Sequence, residues 1–79
     1  MIIAVTAEDI QNGERCNPQT CPIALAIKRA TGKQVIVGYD YVVMEGFGKE
    51  ILMPRKARDF RERFDNIREG EPFSFEIHL

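Results

Sequence analysis

The chain opens on a short apolar run, Met1–Val5, which predicts a strand. Thr6 follows it, and Asp9 stands three residues further on. That spacing predicts a capped turn of helix, close to a capping box with Asp in place of Glu or Gln, closed by Gly13. From Asn12 to Gln19 there is no periodicity and many loop formers, so a loop is expected. Thr20 to Thr31 predicts a helix. Thr20 or Cys21 is its N-cap, and Pro22 belongs to the first turn, where a missing N–H costs nothing. Ile23, Ile27 and Ala30 repeat at helical spacing, with Ala24, Leu25 and Ala26 around them. Lys28 and Arg29 suit the negative end of the helix dipole, and Gly32 suits the residue just past it.

Gln34–Met44 is β-branched and aromatic, which favours strand, and Gly38 interrupts it as a bulge or as a turn between two strands. In one continuous strand Val35, Val37, Tyr39, Tyr41 and Val43 share a parity, and Ile36, Val42 and Met44 share the other. Both faces are then partly apolar, as in a covered central strand or in a strand with a partner surface. Glu45–Gly48 predicts a turn and Lys49–Met53 a returning strand. Pro54 opens a second helix at its N1 position. Ala57, Phe60, Phe64 and Ile67 form its apolar stripe, with Asp59/Arg63 and Arg61/Asp65 as i,i+4 pairs. Gly70 and Pro72 stop it. In the last strand, Phe73–Leu79, Phe73, Phe75, Ile77 and Leu79 face one way and Ser74, Glu76 and His78 the other. The order is β, short turn, α, β, β, β, α, β. It predicts an α+β fold: one domain over residues 1–79, a small, mainly antiparallel sheet with two helices on one face.

Composition narrows the classes. A chain of 79 residues buries only roughly 60% of the surface its unfolded form exposes, so its core is marginal. Association between copies is one common remedy, and a homo-oligomer is expected. With 11 Lys+Arg against 12 Asp+Glu the formal net charge is −1, which weighs against a nucleic-acid binder. No apolar run has the length of a membrane span, and the opening MIIAVTAED lacks the basic start of a secretory signal, so a cytoplasmic protein is expected.

Candidate chemistry is sparse. Cys16, Cys21 and His78 are too few for the usual four-ligand zinc site, and no metal is expected. Cys21 is either a small buried residue or, ahead of a helix, placed for a lowered pKa; His78 is the only neutral base, and nothing in their spacing brings them together. The glycines of EGFG precede a strand, not a helix, so no phosphate loop is present and no cofactor is expected. The oddity is at the start of the second helix. Arg55, Lys56 and Arg58 stand where the dipole prefers Asp or Glu. Either salt screens the cost, or an anion reverses its sign. Tyr39 and Tyr41 are candidates to stack on a base; the alternative is a core or interface role.

The runs CPIALAIKRATG at Cys21–Gly32, PRKARDFRERFD at Pro54–Asp65 and PFSFEIHL at Pro72–Leu79, with VTAEDIQNGE at the opening, resemble a group of small, mostly uncharacterised proteins encoded by bacteriophages. The resemblance implies a phage accessory protein in a bacterial cytoplasm, of a kind that often inhibits host defence. The function expected from residues and resemblance together is non-enzymatic: sequestration of a phosphate-containing signalling nucleotide, with Arg55, Lys56 and Arg58 on phosphates and Tyr39 or Tyr41 on a base. The alternatives are direct inhibition of a host defence protein or CRISPR effector, a small nucleic-acid-binding accessory protein, and a small enzyme using Cys21 or His78.

Overall fold

Local signals account for where each helix begins. Thr6 Oγ1 accepts a hydrogen bond from the Asp9 N–H at 3.2 Å, and Asp9 Oδ2 accepts one from the Thr6 N–H at 2.9 Å. This reciprocal cap starts α1 (Ala7–Asn12), and the Gly13 N–H closes it on the Asp9 carbonyl. Cys21 is the N-cap of α2 (Pro22–Thr31), Pro22 opens its first turn, and Gly32 ends it at φ +71°, a backbone state that glycine adopts without a Cβ clash. The start of α3 (Arg55–Ile67) differs by one residue from expectation. Pro54 stands just before the helix, and its carbonyl accepts from the Ala57 and Arg58 N–H groups at 3.0 and 3.2 Å.

The computed structural model describes residues 1–67 and 69–78. It has the expected α+β architecture, with β1 (Ile2–Val5), α1, α2, β2 (Val35–Val37), β3 (Tyr41–Met44), β4 (Ile51–Leu52), α3 and β5 (Phe73–Glu76) in chain order. The strands divide into two antiparallel sheets where a single sheet was expected. One pairs β1 with β5, in the register Ile3↔Phe75 and Val5↔Phe73; the other is ordered β2-β3-β4. Helix α2 packs on both β1 and β2 and so bridges the sheets.

Gly38 proves to be a turn. Its N–H donates to the Tyr41 carbonyl oxygen at 2.8 Å, and Tyr39 and Asp40 form the tip. The turn resets the alternation, so the one-strand parity does not hold. Val35 and Val37 point inward with Val42, Met44 and Ile51, while Ile36 pairs with Val43 on the outer face and Tyr41 with Leu52.

One apolar core joins both sheets and all three helices of the described residues. Ile23, Ala24, Ala26 and Ile27 supply the buried stripe of α2. Ala30, expected on that stripe, is exposed. Ala57, Phe60 and Phe64 supply the stripe of α3, but Ile67, in its last turn, is 59% exposed. An aromatic run ties α3 to β5, with ring centroids 4.8 Å apart for Phe60 and Phe73 and 5.6 Å for Phe73 and Phe75. Phe75 and Ile77 are buried as their alternation requires; Leu79 lies outside the described residues.

The loop between α1 and α2 is ordered by three anchors. Asn17 Oδ1 accepts the Gln19 and Thr20 N–H groups, an Asx-type turn. The Val37 N–H donates to the Pro18 carbonyl oxygen at 2.8 Å, which covers the open edge of β2. Arg15 donates to the Asp65 and Asn66 carbonyl oxygens near the C-terminal end of α3, at 2.8–3.1 Å. There it satisfies late-turn carbonyls and complements the dipole.

Candidate functional site

These anchors bring four segments around one cleft of about 380 Å³. Its walls are Cys16–Pro18 from the loop, Cys21 at the head of α2, Ile36–Gly38 and Tyr41 from the hairpin, and Arg61 and Asp65 from α3. The size lies within the range of small-ligand sites. Tyr41 is half-buried and lies directly over Gly38, so close that any Cβ at position 38 would collide with its ring. The glycine is therefore what lets the ring form a flat wall.

Arg61 stands at the mouth. Its guanidinium carbon lies 5.7 Å from the centre of the Tyr39 ring, within cation–π range. Its Nη2 is 3.6 Å from Asp65 Oδ2, an ion pair too long for a hydrogen bond. Asp65 is otherwise engaged, because its Oδ1 accepts the Cys16 N–H at 3.0 Å. Arg61 thus offers guanidinium donors to the cleft that Asp65 does not take up.

The residues expected to bind separate in space. Arg55 is exposed and lies 3.8 Å from Asp59. Lys56 lines a different groove of about 300 Å³ on the opposite flank of α3, with Asp59, Phe60, Arg63 and the turn Gly70–Phe73. Arg58 is half-buried; its Nε is buried and makes no hydrogen bond within the described structure. Helical spacing puts Arg58 one turn before Arg61 on the same flank. Tyr39 is 64% exposed at the hairpin tip, and Tyr41 forms the cleft wall. So the structure brings Tyr39 and Tyr41 to Arg61, with Arg58 one turn away, while Arg55 and Lys56 point elsewhere. In the sequence Arg61 stands only as the i,i+4 partner of Asp65. The available signal was its place beside Phe60: a cation next to the apolar stripe lies on the flank that meets a neighbouring element.

Cys21 is a small buried residue, the alternative to an activated thiolate. Burial pushes its thiol above the ordinary value, and the nearby amides of Ala24 and Ile23, which pull it down, do not compensate. It is held as a neutral thiol at the cleft floor, not as an activated thiolate. Cys16 is exposed, at φ +55°. Alkylation of the native protein with iodoacetamide is therefore expected to label Cys16 first and Cys21 only on unfolding. Equal labelling rates measured by mass spectrometry would contradict this placement. His78 is exposed, and no group of three or more His, Cys, Asp or Glu side chains among the described residues is arranged to hold a metal ion.

The chain matches no protein-family model, no curated protein and no solved structure. No helix among the described residues is long and apolar enough to cross a membrane.

Proposed function

We propose that the protein is a non-enzymatic binding protein of phage type that sequesters a phosphate-containing signalling nucleotide of host defence in the bacterial cytoplasm. The observation that carries the reading is the Arg61 guanidinium held over the Tyr39 ring at the mouth of a cleft walled by Tyr41. A guanidinium matches the geometry of phosphate oxygens, and a tyrosine face tolerates any base. Arg58 on the same flank adds positive charge, and its buried Nε has no hydrogen-bond partner among the described residues. On binding, phosphate oxygens replace Asp65 as the partner of Arg61. In this reading the phosphate role stays with Arg58 among the three helix-start cations and extends to Arg61, while Tyr39 and Tyr41 stay the candidates for the base.

Isothermal titration of the full chain against cyclic and ADP-ribose-type nucleotides tests this reading. At least one nucleotide is expected to bind and to be recovered unaltered by chromatography. Arg61→Ala is expected to weaken that binding at least about tenfold, about 1.4 kcal/mol. Binding by none of the panel would overturn the reading, and recovery of a converted nucleotide would overturn its non-enzymatic part.

A further inference from the structure

The cleft holds a carboxylate where a plain anion site would have none. Asp65 and Arg61 both line it, with side chains 15% and 25% exposed, and Asp65 is the only acid among the described residues of its wall. Asp65 Oδ1 is committed to the Cys16 N–H, but Oδ2 stands 3.6 Å from Arg61 Nη2 and accepts no hydrogen bond among the described residues. A bare anion on Arg61 would also meet that carboxylate, whose repulsion offsets much of the cation's attraction. The pair therefore suits a ligand with two different ends. One end carries oxygens that accept from Arg61, and the other is a polar edge that donates to Asp65.

The rest of the wall narrows what that edge is. Backbone donors of the wall are used within the fold. The Val37 N–H donates to the Pro18 carbonyl oxygen at 2.8 Å, the Gly38 N–H to that of Tyr41 at 2.8 Å and the Cys21 N–H to that of Asn17 at 3.0 Å. Asn17 Oδ1 accepts the Gln19 and Thr20 N–H groups, so what this side chain has left to offer is its NH2, a donor. Asn17 follows Cys16, whose N–H is bound to Asp65, so the amide and the carboxylate belong to adjoining parts of the wall.

We infer that the base the cleft takes is guanine, with Asp65 as the residue that selects it. Guanine carries two donors side by side, N1–H and the N2 amine, next to the acceptor O6. That edge is the counterpart of a carboxylate beside an amide NH2. Adenine and cytosine each set an acceptor nitrogen beside their amine, and uracil has one N–H between two carbonyls, so a carboxylate facing any of them meets a lone pair. The tyrosine faces discriminate little between bases, which leaves the choice to the edge. The inference rests on the nucleotide reading and narrows it. When phosphate takes Arg61, Asp65 loses its ion-pair partner and gains the guanine donors in its place.

Isothermal titration of the full chain against cyclic mono- and dinucleotides, in sets that differ only in the base, tests the assignment. The guanine form is expected to bind at least about tenfold tighter than the adenine form, with the hypoxanthine form, which lacks the N2 amine, between them. Inorganic phosphate is expected to show no binding at concentrations of guanine nucleotide that saturate the protein. Asp65→Asn keeps an oxygen for the Cys16 N–H and puts NH2 where Oδ2 stands. With native circular dichroism, it is expected to prefer xanthine, which has a carbonyl in place of the N2 amine, over guanine by about tenfold. A general loss of structure cannot reverse a preference in this way. Tighter binding of an adenine nucleotide, phosphate binding as well as the guanine form, or an Asp65→Asn loss equal for every base would overturn the guanine assignment and leave nucleotide binding standing. Binding by no nucleotide would overturn both.

Discussion

Asp9→Ala is expected to lower the free energy of unfolding by roughly 2–4 kcal/mol, much of what a domain of this size possesses. Asp9 is 4% exposed, and both of its carboxylate oxygens accept hydrogen bonds. It accepts from the Thr6 N–H at 2.9 Å as part of the α1 cap, and from Arg29 through both oxygens, the Nη2 contact at 2.9 Å. Arg29 also donates to the Ala4 carbonyl oxygen at 2.8 Å, so one cluster fastens β1, α1 and α2 together. Removing the carboxylate takes away one half of the reciprocal cap, the bond from the Thr6 N–H, while the Asp9 N–H keeps Thr6 Oγ1; it also removes charge-assisted hydrogen bonds contributing about 1.5–3 kcal/mol. Arg29 is half exposed and takes up water when its partner is lost, which keeps the cost below that of a wholly buried pair.

The same cluster sets a pH dependence. Burial by itself raises the Asp9 carboxyl, but the hydrogen bonds from Arg29 and Thr6 outweigh it and hold the group below its ordinary 3.8. A carboxyl depressed in the folded state contributes stability that is present above its unfolded pKa and is lost as the pH falls through the folded one. Urea denaturation is therefore expected to show constant Asp9-dependent stability near neutral pH and a decline below about pH 4. Asp9→Asn, which keeps the shape and removes the charge, is expected to flatten that decline. An Asp9→Asn protein with the wild-type acid limb would contradict the assignment.

Phe64→Ala is expected to be as damaging, at about 3–5 kcal/mol. The ring is 1% exposed, lies 6.0 Å from Phe60 along α3, and adjoins Cys21, Pro22 and Ile23 at the head of α2. It is the wedge that holds the helix carrying Arg61 and Asp65 against the helix carrying Cys21. Its removal leaves a cavity under the cleft, so nucleotide affinity is expected to fall along with stability. Phe64→Leu is expected to lose only about 1–1.5 kcal/mol and to retain binding. Chemical denaturation followed by far-ultraviolet circular dichroism separates the two variants; equal midpoints would contradict the wedge.

Local chemistry was legible in the chain, and long-range pairing was not. The Thr6–Asp9 cap, Pro22 at the head of α2 and the left-handed Gly32 act over three or four residues, and each stands where its spacing implies. The pairing of β1 with β5 joins residues at opposite ends of the chain, and alternation specifies which face of a strand is buried but not which strand it meets. Two sheets therefore stand where one was expected. Gly38 shows the same limit at short range: as a bulge or as a turn it leaves the same residues in sequence, but a turn reverses the parity of everything after it. The site was legible only in kind. Aromatic rings and cations were the expected ingredients, yet the cations first singled out were those that oppose the dipole of α3. Arg61 gains its importance from the hairpin that folds over it, and no periodicity encodes that contact.

The most direct test is amide chemical-shift mapping by NMR while the full chain is titrated with the nucleotide that binds best. A site at the cleft predicts the largest shifts at Cys16–Pro18, Gly38–Tyr41 and Arg61–Asp65, with little change at Lys56, Arg63 and Gly70–Glu71. Shifts concentrated on that second groove or on the first turn of α3, or no shifts at saturating nucleotide, would contradict a binding site built around Arg61 and Tyr41.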